Sequence, residues 1–289
     1  MKLLVVRDHH TLVPEIQQQL EDRVEDISCV PLDWQLVGET VDIADAIKYQ
    51  KPDFVLMLTV LGPDELAEWG QHYRQLMDDL TNILAKSDIP LIYLSSAAVY
   101  PGQQLNYLEH DAPDPVTDIG RLYLDIERMV ESRLERYITL RSGWMFSEST
   151  PNFMTSVIEY ASSNAMISVN SAGKGCPTAM HDIARVILAI LLQADLDIGV
   201  WGTYHYSSSD AAIGFQFIET ILAQAAQFNG DIDPKQLLFE HCDSPVGDFY
   251  FEPVVLECSK LKDTFGIHQK PWRAMLGSVV RAYFNELEK

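Results

Sequence analysis

The stretch from Ile89 to Val130 limits what this chain can fold into more than any other. It opens I-P-L-I-Y-L-S-S-A-A-V-Y, passes through a polar loop, and closes P-V-T-D-I-G-R-L-Y-L-D-I-E-R-M-V. A short apolar run ending in Ser95-Ser96 predicts a buried parallel strand that delivers two hydroxyls at its carboxyl end. Ligands of open α/β sheets sit at that end. Asp111 to Pro115 form an acidic, proline-punctuated loop. The spacing of Ile119, Leu122, Leu124, Ile126, Met129 and Val130 then predicts a helix from Val116 or Thr117. Strand, loop and helix would form one wall of an active site.

The same alternation recurs along the chain. Lys2 to Val6 predicts a strand, and Thr11 to Arg23 a helix with Pro14 tolerated in its first turn. Ile27 to Leu32 is a second strand, and Leu61 to Ala85 a long helix on which Trp69 and Tyr73 are packing residues. Further strands are expected at Tyr137 to Leu140 and from Gly202 to Tyr206, with a helix from Ala211 to Phe228. The fold class is α/β: a Rossmann-like doubly wound parallel sheet over residues 1–145, to which later segments return, and a smaller C-terminal α/β lobe made mainly from residues 146–289. A dinucleotide-binding sheet needs glycines between its first strand and helix, so that the backbone can approach a pyrophosphate. Arg7 to Val13 contain none.

Composition excludes several functions. With 47% hydrophobic residues over 289 positions, the chain can bury a substantial core. Its net charge of −21 opposes approach to phosphate backbones and anionic lipid, so neither nucleic acid nor membrane is an expected partner. No signal peptide and no apolar run near the roughly 20 residues of a membrane span are apparent, which predicts a cytoplasmic protein. Cys29, Cys176, Cys242 and Cys258 are dispersed without C-x-x-C spacing. They predict reduced thiols and no metal site, and His9-His10 lack a visible third ligand.

The Ile89 to Val130 stretch resembles the central segment of the extended short-chain dehydrogenase/reductase family, most closely its dTDP-4-dehydrorhamnose reductase branch. That family has a strand ending Ser-Thr or Ser-Ser, then Tyr-Gly-Arg-x-Lys opening the next helix. With the Gly-Arg placed on Gly120-Arg121, Ser96 keeps its position, Ile119 stands where the catalytic Tyr belongs, and Tyr123 stands at the Lys. The family's G-x-x-G-x-x-G falls on Arg7 to Val13, so Arg7, His10 and Val13 replace the three glycines. Met57 to Val60, including Thr59, occupy a segment where small cofactor-facing residues are usual.

Scaffold motifs are better kept. Arg141 to Phe146 is similar to the branch's R-x-x-W-x-F, with Trp144 in place and Asn152-Phe153 opening the next helix. Gly175 to Ala184 follows G-x-P-T-x-x-x-D-I-A through Pro177, Thr178 and Asp182, although a turn and a helix start would explain the same residues without a substrate. Pro253 to Leu261 and Pro271-Trp272 match the closing segment, except that Phe251-Glu252 stand where an Arg is usual. His205 and Trp272 are expected in the core.

The resemblance implies a nicotinamide cofactor, NADPH or NADH, and a sugar-nucleotide substrate. In the family chemistry a Tyr hydroxyl exchanges a proton while a hydride moves, and the Lys one turn later lowers the phenol pKa and holds the nicotinamide ribose. Ile119 can do neither, and no Lys lies between Lys86 and Lys174. The expectation is a non-catalytic relative, without cofactor, whose crevice serves a sugar-nucleotide-like ligand or a protein partner; an oligomer is compatible with this. The regulatory subunit of methionine adenosyltransferase, in the same branch, illustrates such use. The alternative is an active NAD(P)H-dependent sugar-nucleotide reductase or epimerase with a displaced site. It would draw on Ser96, on one of Tyr100, Tyr107 and Tyr123 as proton donor, and on Arg7, His10 and Thr59 for an anion or cofactor. Trp144, Asn152, Pro177 and Thr178 are the candidates from the second lobe.

Overall fold

In a computed structural model of the protein, the described residues are 1–7, 27–33, 43–58, 63–104, 106–149, 152–163, 167–168, 173–196, 199–235, 237–238 and 253–287. In chain order the first half runs β1 (Lys2–Arg7), β2 (Ser28–Asp33), α1 (Ile43–Gln50), β3 (Phe54–Leu58), α2 (Pro63–Ser87), β4 (Leu91–Ser96), a short 3-10 helix (Ala97–Val99), α3 (Asp118–Arg133) and β5 (Tyr137–Ser142). The second half runs β6 (Met145–Phe146), α4 (Phe153–Ser162), β7 (Ile167–Ser168), β8 (Thr178–Ala179), α5 (Met180–Ala194), β9 (Gly202–Tyr206), α6 (Gly214–Ala225), β10 (Leu237–Leu238), α7 (Ser259–Phe265) and α8 (Trp272–Leu287). The helix expected at Thr11 to Arg23 lies outside the described residues.

Six strands form one parallel sheet in the order β2-β1-β3-β4-β5-β9. Alternate residues of each strand point to opposite faces, and both faces are covered. Leu3, Val5, Leu56, Ile92, Leu94 and Leu140 meet α5 and α7 on one side. Leu4, Val6, Val55, Met57, Leu91 and Tyr93 meet α1, α2 and α3 on the other. This explains the near-continuous apolar runs: every residue of β3 is buried. Tyr73 is buried among them and Trp69 packs at the margin of the same cluster. β9, α5 and α7 come from the second half of the chain, yet they complete the sheet and its core.

A third apolar cluster builds the smaller lobe from α4, α6 and α8 around Trp144, Phe146, Phe217 and the fully buried Trp272. Two short parallel pairs, β6 with β8 and β7 with β10, complete it. Among the described residues, Cys29, Cys176 and Cys258 are free thiols. Burial pushes the Cys29 thiol up to about 11 and the Cys258 thiol up to about 12, which keeps both protonated and unreactive. No group of three or more metal-ligating side chains, and no helix long and apolar enough to cross a membrane, occurs among the described residues.

Candidate functional site

The carboxyl end of β4 and the start of α3 meet as the sequence suggested, with the end of β5 beside them, and one glycine sets how closely. Thr117 caps α3 by accepting the Gly120 N–H at 3.2 Å. A Cβ on Gly120 would lie 2.1 Å from the Ala98 carbonyl oxygen and 2.9 Å from Cβ of Pro115, so only glycine lets the first helical turn rest on the 3-10 helix after β4. Ser96 caps that 3-10 helix, its Oγ accepting the Ala98 N–H at 3.1 Å. Ile119 packs half-buried against the second apolar cluster, and Tyr123, 4% exposed, belongs to that cluster. Tyr93 is fully buried beside it; burial raises the Tyr93 pKa, reinforced by the Tyr73 and Tyr123 phenols and the Glu127 carboxylate. Arg121 is exposed and pairs with Asp118 in the first turn of α3.

Beneath this corner lies a buried polar network that sequence reasoning missed. Glu127 accepts hydrogen bonds from Nε and Nη2 of Arg141, the latter at 2.6 Å, and from the Ser95 hydroxyl at 2.5 Å. Both charged side chains are buried, 6% and 7% exposed. Burial opposes the Arg141 charge, but the bonds and charge of Glu127 outweigh it and hold the guanidinium pKa above its ordinary value. Nη1 of Arg141 donates to the Tyr100 hydroxyl at 2.5 Å. The available signal was Glu127 itself, a charge on the apolar stripe of Tyr123, Ile126 and Val130.

Tyr100 connects this network to β9. Its hydroxyl lies 3.0 Å from Nε2 of His205 and 3.0 Å from the Leu108 carbonyl. Nδ1 of His205 faces two acceptors, the carbonyls of Tyr107 at 3.1 Å and Glu257 at 3.2 Å, so Nδ1 carries the proton and Nε2 accepts. Burial, then the Arg141 charge, lowers the His205 pKa to about 3 and keeps the ring neutral. Burial likewise raises the Tyr100 pKa against the pull of Arg141. The Tyr107 hydroxyl accepts the N–H groups of Gln103 and Gln104 at 2.8 and 3.2 Å. Tyr100, Tyr107 and Tyr123, the phenols offered as displaced proton donors, are thus 2%, 1% and 4% exposed.

A family model described as the RmlD substrate binding domain matches residues 1–285. The chain belongs to the RmlD family. It is 24% identical over 297 residues to a dTDP-4-dehydrorhamnose reductase of Sinorhizobium fredii, covering 99% of each chain. It is 30% identical over 205 residues to methionine adenosyltransferase 2 subunit beta of Xenopus laevis, covering 68% of this chain and 58% of that one. Among solved structures, the dTDP-4-dehydrorhamnose reductase of Clostridium acetobutylicum superposes with a TM-score of 0.81 at 20% identity over all of both chains. That of Bacillus anthracis, in complex with NADP, gives 0.76 at 18% identity over 96% of this chain and 99% of its own. These structures share the fold.

In this RmlD-family chain the second-lobe candidates are occupied with holding the lobe together. Trp144 is buried and stacks on Phe217 with ring centroids 6.5 Å apart. Asn152 caps α4 in a reciprocal box with Thr155, and its amide donates to the Ser147 and Ser149 carbonyls. Pro177 and Thr178 are buried; the Thr178 hydroxyl donates to the Cys176 carbonyl at 3.0 Å and accepts the Ser208 N–H at 3.2 Å. Asp182, fully buried, takes Arg185 Nε at 2.7 Å and the Tyr206 hydroxyl, with Lys270 3.6 Å away. Burial and the Asp182 charge raise the Tyr206 pKa.

At the same carboxyl end of the sheet, two strands from β4, Arg7 is the last residue of β1, paired with Asp33 and Leu58. The strand order reverses there, between β1 and β3, the switch point at which sheets of this kind place a ligand. His10, Val13 and Thr59 lie outside the described residues. Met57 and Leu58 are fully buried, one in each flanking cluster.

Proposed function

We propose that this chain is a catalytically degenerate relative of dTDP-4-dehydrorhamnose reductase that works without hydride transfer, as a binding or regulatory protein. One observation carries the reading. At the start of α3, where Gly120 fits only as glycine and so fixes the frame, the preceding residue is the apolar Ile119, and the residue one turn on, Tyr123, is inside the core. An ammonium at Tyr123 would be desolvated, and a phenol held among Tyr73 and Tyr93 has no route to a substrate carbonyl. The residues present at this corner do not fit a nicotinamide cofactor poised for reduction. The Ser96 Oγ accepts the Ala98 N–H, a structural bond that caps the 3-10 helix and leaves its O–H without a phenol partner for proton exchange among the described residues.

The ligand of such a protein is a sugar-nucleotide-like molecule at the carboxyl end of the sheet, or a protein partner that uses the same scaffold. Calorimetric titration of the purified protein with NADPH and NADH, then with a dTDP-sugar, tests this. The reading expects no dinucleotide binding and no NADPH oxidation with a dTDP-4-keto-sugar; a dTDP-sugar signal alone marks a binding protein. NADPH oxidation sinks it. A second reading, an active reductase with its site displaced, is favoured by the match to the Sinorhizobium fredii reductase along its entire length. It requires tight dinucleotide binding.

A further inference from the structure

Residues 253–258 run across the carboxyl end of the sheet, and their first residue is wedged between two glycines. Gly102, in the loop after β4, has φ +74°, and Gly173, in the loop before β8, has φ +86°. A Cβ on Gly102 would lie 2.6 Å from Cγ of Pro253, and one on Gly173 would lie 2.1 Å from its Cβ. The Pro253 ring therefore fills a slot that neither loop could form with a side chain. One loop belongs to the six-stranded sheet and the other leads into the smaller lobe, so a single residue ties the two together.

Beyond Pro253 the segment alternates like a strand, with Val254, Leu256 and Cys258 buried and Val255 and Glu257 half-buried. Its backbone pairing is nevertheless minimal. Tyr107 N–H donates to the Val255 carbonyl at 2.9 Å, and Glu257 N–H donates to the Tyr107 carbonyl at 2.8 Å, an isolated bridge outside every sheet. His205 adds its Nδ1 contacts to the Tyr107 and Glu257 carbonyls. Apart from the Cys258 carbonyl, which accepts the Lys262 N–H at 3.3 Å where α7 begins, the backbone contacts among the described residues go to a loop and side chains, none to the ladder of the six-stranded sheet. Segments held by few backbone bonds open locally at a lower free energy than the sheet beneath them.

We propose that Pro253 to Cys258 form a latch: it pins the loop after β4 to the loop before β8, releases as a unit while the sheet stays folded, and so governs access to the sheet's carboxyl end. The latch stands whether or not the protein transfers hydride. Release frees the Pro253 slot, uncovers the Tyr100-Tyr107 stack, whose rings lie 4.3 Å apart, and parts the Cys258 thiol from the Ser207 hydroxyl 3.8 Å away.

Amide hydrogen exchange of the full chain tests the proposal. In the unmodified protein the Tyr107 and Glu257 amides should share one protection factor, at least tenfold below that of Leu94 in β4 and Leu140 in β5. In Pro253→Ala both should exchange at least tenfold faster, with Leu94 and Leu140 unchanged; those unchanged amides also establish that the variant is folded. Equal protection of latch and sheet amides overturns the latch, because the segment would then open only on global unfolding. So does a variant that accelerates one latch amide without the other, or neither.

Discussion

The Arg141 guanidinium lies side-on to the Glu127 carboxylate, with Nη2 2.6 Å from Oε2 and Nε 3.0 Å from Oε1. This pair joins α3 to β5, and through the Ser95 hydroxyl it joins both to β4. It lies beside the carboxyl ends of β4 and β5 and the first turns of α3, and it engages Ser95, Tyr100, Glu127 and Arg141. The two buried charges are thereby compensated.

Removing one partner of a buried pair leaves the other charge uncompensated. Glu127→Ala should therefore lower unfolding stability by about 3–5 kcal/mol. Urea titration with an unchanged m-value checks this, and a double-mutant cycle with Arg141→Met should show strong coupling between the two positions.

Tyr123 is a packing residue in this structure, and the proposed reading gives its hydroxyl no part in proton transfer. Tyr123→Phe should leave any measured rate of NADPH oxidation within about twofold of the unmodified protein, since a missing general acid typically costs roughly 10²–10⁴-fold. A loss of that larger size would place an active site around Tyr123.

Gly120→Ala drives a methyl into the Ala98 carbonyl, and that contact is backbone against backbone with no flexible side chain to yield. The cost should reach the upper end of the roughly 1–3 kcal/mol typical of overpacking. Thermal unfolding reads the loss, and an unchanged Tm would show that α3 can move away from the 3-10 helix.

The latch should weaken in mild acid. His205 has a pKa of about 3 when shut in, and an ordinary value of 6.5 once exposed. The open state therefore takes up a proton below pH 6.5, and the closed state loses stability as pH falls from there toward 3. The groups facing His205 are Arg141 and Lys260, whose charges lower its pKa, the Tyr100 phenol on Nε2, and Glu109, whose Oε1 accepts the backbone N–H of His205 at 3.0 Å. Burial raises the Glu109 pKa, which favours the closed state at lower pH and opposes the His205 effect. Between pH 7.0 and 5.5 the open population should rise. Exchange of the Tyr107 and Glu257 amides, corrected for intrinsic chemistry, measures this, and His205→Gln should flatten the dependence.

Much of the corner was readable because it is local. The run that became β4, Leu91–Ser96, and the apolar spacing from Ile119 to Val130 both lie within short windows whose periodicity announces strand and helix. His205 and Trp272 were readable as core for a similar reason, each standing in or beside an apolar segment. Asn152 and Thr178 were visible as special residues, but their task was not. The same side chains could address a ligand or their own backbone, and the structure places them on the backbone.

By itself the amino-acid sequence determined a parallel α/β sheet and an RmlD-like frame, because each is written in neighbouring residues or in fixed spacing. Only the tertiary structure decided that Tyr100, Tyr107 and Tyr123 are enclosed, that Glu127 meets Arg141, and that Pro253 closes a slot between Gly102 and Gly173. Those contacts join segments far apart in the chain, brought together by strand order and helix packing. Burial then decides whether a hydroxyl, a carboxylate or an imidazole meets water, a ligand or another side chain.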